Sequence, residues 1–563
     1  MIEQRLTRLL GMTTLARITV FFRKAWLLAL VPVLLVVILP FPNEAAAATI
    51  PWSQPVKISG DTVGAWFPAI AVDRSGQVHV VWNSGVPDTG QPGADIAPSN
   101  KPTLPSADSS LLNYTHWDGQ GWSKPVDIEM AQPSGEVVRS ALTLNQEGQL
   151  ILFYRGMNIL DPQSFNDTPQ LRIALADARQ GGDAQAWSIQ KTLTKRGGYF
   201  TTIATDAQGV VHAVWDELDG NSGYVLYYSH SIDGGVHWSP PFMLEMSREV
   251  YHYRLSMAVG PGQDIHVVYE VIDPADVSAW TPAPIGFVYA QSKDSGATWS
   301  TASFVPSENT DPRLGRFSSI VAGGHELLPV EPAVGVDGKG QVLLVWRDAY
   351  SDVLYFQRSK DGNVWSAPEP LPGVAKGVDK PFDRYDMATD SAGHVHLVFV
   401  GYPSGSSTRE LLHSVWDGDH WSNPDVIASS PPYPEYPGIA IAEGNRLQVV
   451  WFVRDNPNGS GVGNGIWYST AEAAAPFVAP VPLPARARST ASEANPAAAS
   501  RHATVATPTA VPTPPGFITD VPVPQPSDVK GYSDRPLLLG VGAAAGLLIL
   551  TVAARRVRLF GKE

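Results

Sequence analysis

The sequence contains no cysteine among its 563 residues. This absence excludes disulfide bonds and thiolate metal sites, so a domain outside the cytoplasm would depend on a large hydrophobic core for its stability. Basic side chains are also scarce: 40 Lys and Arg stand against 54 Asp and Glu, and the formal net charge is −14. Residues 1–48 and 537–563 carry +3 each, which leaves −20 on the middle of the chain. Such a polyanionic middle repels nucleic acid, so an anionic ligand would have to be held by local arginines.

Both ends of the chain carry apolar runs. At the N-terminus, five basic residues precede 25-AWLLALVPVLLVVILPF-41, and small residues follow at 45–48. This order predicts an export signal over residues 1–48, with an uncleaved anchor as the alternative. At the other end, the uncharged run 537–554 is followed by 555-RRVR-558. It predicts a transmembrane helix over 536–554, a short basic cytoplasmic tail over 555–563, and a single-pass cell-membrane protein whose middle is extracytoplasmic.

Residues 471–535 are rich in Ala, Pro, Thr and Ser, as in 507-TPTAVPTPPG-516. They hold too few large apolar side chains to form a core and too many prolines to form a helix. We expect a disordered, semi-extended stalk that joins the membrane segment to a folded domain at 49–470.

The folded region is built on a repeated hairpin motif. Two short β-branched runs flank an Asp/Gly turn in 68-PAIAVDRSGQVHVVW-82, which is a hairpin signal. The motif recurs, with more or less change, at 140–154, 201–215, 255–269, 332–346, 385–399 and 437–451.

A second motif, Ser-x-Asp-x-Gly-x-x-Trp-Ser, follows the hairpins and is clearest in 231-SIDGGVHWS-239 and 292-SKDSGATWS-300. Six units are complete, whereas the seventh stops after 464-NGIWYS-469. Its missing strand matches 51-PWSQPVKI-58 at the other end of the domain. Since an N-terminal strand that completes the last unit closes a ring, we predict an all-β propeller of seven four-stranded blades, with six as the alternative.

Whatever repeats in every blade is expected to be scaffold. The motif's short polar side chains tie the turn, Gly supplies a positive φ and Trp packs beneath it. The repeated histidines occupy one strand position in different blades, so we interpret them as packed strand residues and not as a metal cluster: His79, His212, His266 and His396. No cofactor is implied.

Function is therefore expected on the opposite face, where inner strands begin and second strands end. Aligning the hairpins, the residues that open the inner strands are Phe67, Arg139, Phe200, Arg254, Glu331, Arg384 and Tyr436. The residues that close the second strands are Asn83, Arg155, Asp216, Glu270, Arg347, Val400 and Phe452. As hairpin neighbours, Glu331 should lie beside Arg347 and Arg254 beside Glu270. These pairs are either part of a site at the channel mouth or ion pairs that keep the rim soluble.

The second motif resembles the Asp-box, or BNR repeat, of sialidases, and the resemblance covers residues 51–469. The segment 331-EPAVGVDGKGQVLLVWRD-348 is similar to one in which a Glu opens an inner strand and a substrate-binding Arg ends the next. The resemblance implies that Glu331 activates a nucleophile and that Arg347 binds a sialic acid carboxylate. By the same resemblance, Arg409 of 408-TRELLHS-414 is a second carboxylate ligand and Tyr436 is the nucleophile, and sialidases are an exception to the use of two carboxylates.

The resemblance further implies a general acid in the first blade's loop, with Asp88 and Asp95 as candidates. Trp66 stands where the family has the first arginine of its triad, so Arg139 or Arg155 would have to replace it. Trp280 either stacks on a sugar face or anchors its loop.

Three functions remain open on the sequence alone. The first is a glycan- or surface-ligand-binding propeller without catalysis, whose partner is an acidic glycan or a surface protein. The second is an exo-sialidase-type glycoside hydrolase. The third is a structural or protein-interaction propeller.

Overall fold

A computed structural model describes residues 50–62, 64–84, 111–130, 138–156, 170–194, 197–218, 224–244, 251–272, 284–300, 303–304, 309–310, 318–322, 325–378, 384–455 and 463–484. The predicted signal (1–48), the predicted membrane helix (536–554) and most of the predicted stalk lie outside these residues and stay predictions. Within the described ranges, no helix is long and apolar enough to cross a membrane.

Seven antiparallel sheets form the domain, each with an inner strand nearest the centre of the ring. Blades 1 and 2 contain β2 (Trp66–Val72), β3 (Val78–Ser84), β4 (Leu111–Trp117), β5 (Val126–Met130), β6 (Val138–Leu144), β7 (Gln149–Gly156), β8 (Gln170–Asp177) and β9 (Ser188–Thr194). Two short 3₁₀ helices, Ala178–Gln180 and Ala184–Ala186, lie between β8 and β9. Blades 3 and 4 contain β10 (Gly197–Thr205), β11 (Val211–Leu218), β12 (Tyr224–Ser231), β13 (Phe242–Met243), β14 (Tyr251–Val259), β15 (Ile265–Ile272), β16 (Pro284–Ser292) and β17 (Ser303–Phe304).

A small three-stranded sheet precedes blade 5 and consists of β18 (Asn309–Thr310), β19 (Ser318–Ala322) and β20 (His325–Leu327). Blade 5 contains β21 (Pro329–Val336), β22 (Val342–Asp348), β23 (Leu354–Ser359) and β24 (Glu369–Pro370). Blade 6 has five strands, β25 (Val374–Gly377), β26 (Asp386–Thr389), β27 (Val395–Pro403), β28 (Glu410–Trp416) and β29 (Asp425–Ser429). Blade 7 contains β30 (Tyr433–Ala442), β31 (Arg446–Arg454), β32 (Ile466–Glu472) and β1 (Val56–Lys57).

The blades form a closed ring. Each inner strand contacts that of the next blade in the order β2, β6, β10, β14, β21, β26, β30 and back to β2. The N-terminal strand β1 pairs with β32, with Val56 opposite Tyr468, and the Ile58 amide donates to the Ile466 carbonyl at 2.8 Å. The predicted seven blades and their closure by the N-terminal strand are confirmed, and the six-blade alternative is wrong.

Deleting residues 51–58 from the propeller domain should expose the edge of β32 and remove the buried Ile58 from the core of the seam between blades 7 and 1. We expect a lower melting temperature and concentration-dependent aggregation, measured by differential scanning fluorimetry and size-exclusion chromatography. The control is Val56→Thr, because Val56 is 50% exposed. A deletion variant that stays monomeric with an unchanged melting temperature would show that β1 does not hold the ring closed.

The repeated hairpin motif builds the packing between blades. Its last position is an aromatic side chain on the second strand, and this residue is at most 1% exposed in every blade: Trp82, Tyr154, Trp215, Tyr269, Trp346, Phe399 and Trp451. The recurring aromatic is therefore a core residue, as expected of a scaffold position.

The Asp/Gly turn of the motif explains the repeated histidines. The Asp73 carboxylate accepts the Ser75 and Gln77 amides at 2.8 and 3.0 Å, while its other oxygen lies 3.4 Å from His79 Nε2. His79 Nδ1 shares a hydrogen bond of 2.7 Å with the Tyr114 hydroxyl. Blades 3 and 4 repeat this Asp–His–Tyr arrangement, and blade 6 repeats it with a second histidine in place of Tyr. These histidines are packed strand residues.

The Asp-box turns are also scaffold. Ser231 Oγ accepts the Gly235 amide at 2.8 Å and donates to Asp233 at 2.9 Å, and Asp233 accepts the His237 amide at 2.8 Å. Gly235 has a φ of 92°, and Trp238 Nε1 donates to its carbonyl at 2.9 Å.

His413 in blade 6 should make the fold sensitive to acid. It is fully buried, bonds His396 at 2.9 Å, and its burial lowers its pKa from 6.5 to about 4. Because the unfolded chain takes up this proton near pH 6.5 and the folded protein near pH 4, stability contributed by neutral His413 is lost as the pH falls through that window, by roughly 3 kcal/mol. Urea unfolding of His413→Gln should show a correspondingly weaker pH dependence than wild type. His237→Gln is the matched control: its side chain is 86% exposed, and the Asp233 carboxylate that its ring bonds at 2.6 Å has a pKa of about 2, so the slope between pH 4 and pH 6.5 should stay that of the wild type.

Candidate active or binding site at the channel mouth

A cavity of about 110 Å³ lies where inner strands of neighbouring blades begin. In a four-stranded meander the inner strands begin on the face opposite the Asp-box turns, so the cavity lies on the predicted functional face. The lining residues that carry charge or an aromatic ring are Phe200, Arg254, Glu331, Arg384, Tyr385, Asp386 and Tyr436.

Backbone bulges aim several of these side chains. Phe67, Arg254, Glu331 and Tyr436 have positive φ values of 48°, 26°, 56° and 52°, and each lies at a register shift of its inner strand. A bulge places two residues opposite one and redirects a side chain. Since a positive φ is unfavourable for residues other than Gly, each of these four bulges strains the backbone at the mouth of the channel.

The bulges also correct the predicted pairing. The residue opposite Arg347 is Val330, and the residue opposite Glu270 is Tyr253, because Glu331 and Arg254 are each the extra residue of a bulge. The predicted charge pairs nevertheless form through their side chains.

Glu331 is 4% exposed and accepts hydrogen bonds on both carboxylate oxygens. Arg347 donates to it through Nε at 2.9 Å and Nη2 at 3.0 Å, which is the bidentate geometry of a strong pair. Arg254 Nη1 lies 3.0 Å from Glu331 Oε1, and the Tyr385 hydroxyl donates to Glu331 Oε2 at 3.1 Å. The Glu331 amide donates to the Glu270 carboxylate of the preceding blade. Glu331 is therefore a buried anion held by two guanidinium groups and one phenol.

Arg347, one of the two arginines that the resemblance assigned to carboxylate binding, points away from the cavity. It is 4% exposed, and its remaining nitrogen Nη1 bonds Asp352 at 2.6 Å. It is not among the described residues that line the cavity. Its guanidinium is thus engaged by two protein carboxylates.

Arg409 belongs to a separate buried cluster. Its Nη2 donates to the Pro434 carbonyl at 2.7 Å and lies 3.3 Å from Glu435 Oε1. Arg454 binds the other oxygen of Glu435 through Nε at 2.8 Å. Glu435 therefore lies between two arginines, in the way that a ligand carboxylate would.

Trp66, which replaces the expected first arginine, is a core residue. It is 8% exposed, and its ring packs edge to face against Phe67 with the ring centroids 6.1 Å apart. The Arg454 guanidinium lies 5.7 Å from the Trp66 ring centroid, so the charge near this position comes from the second strand of blade 7.

Tyr436 lines the cavity and is 9% exposed. The Tyr436 and Phe67 rings pack in a T-shaped arrangement with their centroids 4.9 Å apart. The Arg384 guanidinium lies 4.4 Å from the centroid of the Tyr436 ring. Arg384 Nε also donates to the Pro437 carbonyl at 2.9 Å, and Nη2 lies 3.6 Å from Asp386. The Arg384 side chain is 32% exposed against 15% for Arg254, so it is the more accessible of these two arginines of the cavity wall.

Two acids near these arginines have raised pKa values. Burial raises the pKa of Glu270, and Arg254 offsets part of this effect. Desolvation in the cavity wall likewise raises the pKa of Asp386, with Arg384 acting in the opposite direction. The ionised form of each acid is therefore less favoured than that of an ordinary carboxylate.

The structure thus brings Glu331 and Tyr436 to one cavity, with Arg347 behind Glu331 and Arg409 in the separate cluster. Asp88, Asp95 and Trp280 lie outside the described residues, and Arg139 and Arg155 are described only as strand backbone in blade 2. Sequence reasoning missed Tyr385 and Asp386. The signal was present, because 385-YD-386 replaces the Pro-Ala of 68-PA-69 and 332-PA-333 at the start of the repeat.

The chain matches no protein-family model and no curated protein. Among solved structures it is similar to a protein of unknown function from Dyadobacter fermentans, with 16% identity, a TM-score of 0.44, and coverage of 76% of this chain and 100% of that one. It is also similar to an ulvan lyase of polysaccharide lyase family PL25 (12% identity, TM-score 0.49, coverage 75% and 94%). A third similar structure is the NanB sialidase of Streptococcus pneumoniae (13% identity, TM-score 0.41, coverage 75% and 70%). At these values no residue role is transferred, because a shared fold does not imply a shared site.

Proposed function

We propose that the channel-mouth cavity binds a carboxylate-bearing sugar of a glycan, and that it binds this sugar without hydrolysing it. The observation that carries the proposal is the placement of Arg384 on the cavity wall, partly exposed and fixed by Tyr436 and the Pro437 carbonyl. A fixed guanidinium fork is suited to a planar carboxylate because little side-chain entropy is lost on binding.

The rest of the cavity wall suits a sugar. Tyr436, Tyr385 and Phe200 offer aromatic surface to the C–H faces of a sugar ring, and Asp386, whose side chain is 33% exposed, offers an acceptor to its hydroxyls. With about 110 Å³, the cavity is smaller than the roughly 300–1,000 Å³ of usual ligand pockets, so it would hold the carboxylate side of one terminal sugar and not a longer stretch of chain.

The contacts of Arg347, Arg409 and Glu331 favour recognition over sialidase-type hydrolysis. Arg347 and Arg409 are buried against protein carboxylates, so a ligand carboxylate would have to displace Glu331, Asp352 or Glu435 to reach them. Both carboxylate oxygens of Glu331 already accept from Arg347, with Arg254 and the Tyr385 hydroxyl beside them. Tyr436 would have to displace one of these donors to use Glu331 as a base.

One contact supports hydrolysis as a second candidate function. The Tyr385 hydroxyl donates to Glu331 at 3.1 Å, so a Tyr–Glu pair is present in the cavity, although its tyrosine is not the Tyr436 that the resemblance implied. In that case Tyr385→Phe would abolish turnover of an aryl sialoside, and Tyr436→Phe would not.

The test compares charged and neutral forms of one sugar. The ectodomain is titrated with N-acetylneuraminic acid and with galacturonic acid, and in parallel with their methyl esters, by ligand-observed NMR. We expect at least one acid to bind, its ester to bind at least about 10-fold more weakly, and aryl sialosides to stay intact. Equal binding of acid and ester, or no binding of either, would contradict the proposal, and release of the aryl group would favour the hydrolase. The predicted anchor would place this site on the cell surface.

A further inference from the structure

The chain continues past β32 as an extended segment on the face that carries the Asp-box turns. Residues 473–484 contain four prolines, at positions 476, 480, 482 and 484, in 476-PFVAPVPLP-484. Proline fixes φ near −65° and disfavours helix in the residue before it, so this sequence is extended in isolation.

The segment is bound mainly through its backbone, to the turns of four blades. The Val478 amide donates to the Glu443 carbonyl of blade 7 at 2.7 Å, and the Val481 amide donates to the Arg74 carbonyl of blade 1 at 2.6 Å. The segment's carbonyls accept as well, Pro476 from Ser391 of blade 6 at 2.5 Å and Pro484 from Arg179 of blade 2 at 2.8 Å. Four blades are therefore joined by one strip of chain.

Two turn glycines leave room for the segment. A Cβ on Gly444 would lie 2.6 Å from a Val478 methyl, and one on Gly148 would lie 2.4 Å from a Leu483 methyl. Leu483 packs against the core cluster between blades 1 and 2, and Ala473 is 6% exposed in a cluster with Leu447. Ala473 and Leu483 are thus the packed apolar side chains of this segment, whereas Val478 and Val481 stay 52% and 44% exposed and are held through their amides.

We propose that these turns of blades 6, 7, 1 and 2 form a binding groove for an extended proline-rich peptide, and that its occupant is the chain's own segment 473–484. Main-chain hydrogen bonds combined with side-chain pockets at intervals are the usual means of recognising extended peptides. The groove crosses the seam between blades 7 and 1, where β1, a strand of two residues, closes the ring. The bound segment therefore links the two blades across that seam.

The experiment displaces the segment within the full ectodomain. Leu483→Asp removes the apolar anchor, and Val481→Pro removes the amide donor while keeping the extended backbone. The double variant should melt lower by on the order of 2 °C or more. A synthetic peptide of residues 473–486 should bind it and restore the melting temperature, whereas the wild type, whose groove is filled, should bind the peptide at least 10-fold more weakly. A peptide with Leu483→Asp is the matched ligand control, and Phe477→Asp is the matched protein control because Phe477 is 60% exposed.

The proposal is overturned if the double variant keeps the wild-type melting temperature, or if the peptide binds both proteins equally or neither. Should the double variant fail to fold, amide hydrogen exchange of the wild type decides the question. The Val478 and Val481 amides should then be protected at least 10-fold relative to Phe477, and equal exchange would overturn the proposal.

Discussion

Replacing Glu435 by alanine is expected to lower the free energy of unfolding of the propeller domain by about 3–5 kcal/mol, because it leaves two buried arginines without their shared carboxylate. Arg409 and Arg454 are 3% and 7% exposed in their side chains, so water cannot replace the lost partner. The measurement is equilibrium urea unfolding at pH 7.

The matched control for this prediction is Glu369→Ala on the outer strand of blade 5, where the side chain is exposed and the expected change is below about 0.5 kcal/mol. Equal effects of the two substitutions would mean that Glu435 does not hold the arginine cluster. A second check is Glu435→Ala combined with Arg409→Met, which removes one of the uncompensated charges and should recover part of the loss.

Replacing Arg384 by alanine is expected to weaken binding of a carboxylated sugar by about 10- to 100-fold, since a hydrogen bond to a charged group contributes roughly 1.5–3 kcal/mol. The fold should be little affected, because the side chain is 32% exposed. Arg384→Lys should recover only part of the affinity, because an ammonium group keeps the charge but not the planar fork. The measurement is titration of each variant with the acidic sugar and its methyl ester.

The control for this second prediction is Arg358→Ala. Arg358 lies at the other end of its blade, where it donates to the Asp419 carbonyl and covers Trp416. The Arg358→Ala substitution removes one positive charge from the protein, as Arg384→Ala does, but leaves the cavity unchanged. Binding of the sugar should therefore be unchanged. If Arg358→Ala weakens binding as much as Arg384→Ala, the effect comes from net charge and the cavity is not the site.

The architecture could be predicted from the sequence because the fold is a repetition of one local pattern. A hairpin such as 68–82 specifies its own turn through Asp73 and Gly76 and its own core residue through Trp82, so each copy predicts one blade. The split last unit predicted the closure, since 51–58 supplies the one strand that the seventh copy lacks.

The site could be predicted only in part, because it depends on the directions in which side chains point and on contacts between neighbouring blades. The bulge at Glu331 adds a residue that no local pattern indicates, and it changes the residue opposite Arg347. Arg409 is separated by 26 positions from Glu435, which neutralises it, and the contact becomes visible only when blades 6 and 7 are packed together. A motif can therefore indicate which residues surround the channel without indicating which of them face it.

The most direct test of the proposed site is a crystal structure of the propeller domain with a bound carboxylated sugar, soaked at a concentration that saturates the solution titration. We expect the ligand carboxylate within hydrogen-bond distance of the Arg384 guanidinium, with Arg347 still paired to Glu331 and Arg409 still paired to Glu435. A ligand bound elsewhere on the domain would contradict the account. So would a carboxylate clamped by Arg347 and Arg409 with Tyr436 at the anomeric carbon, which is the arrangement of a hydrolase.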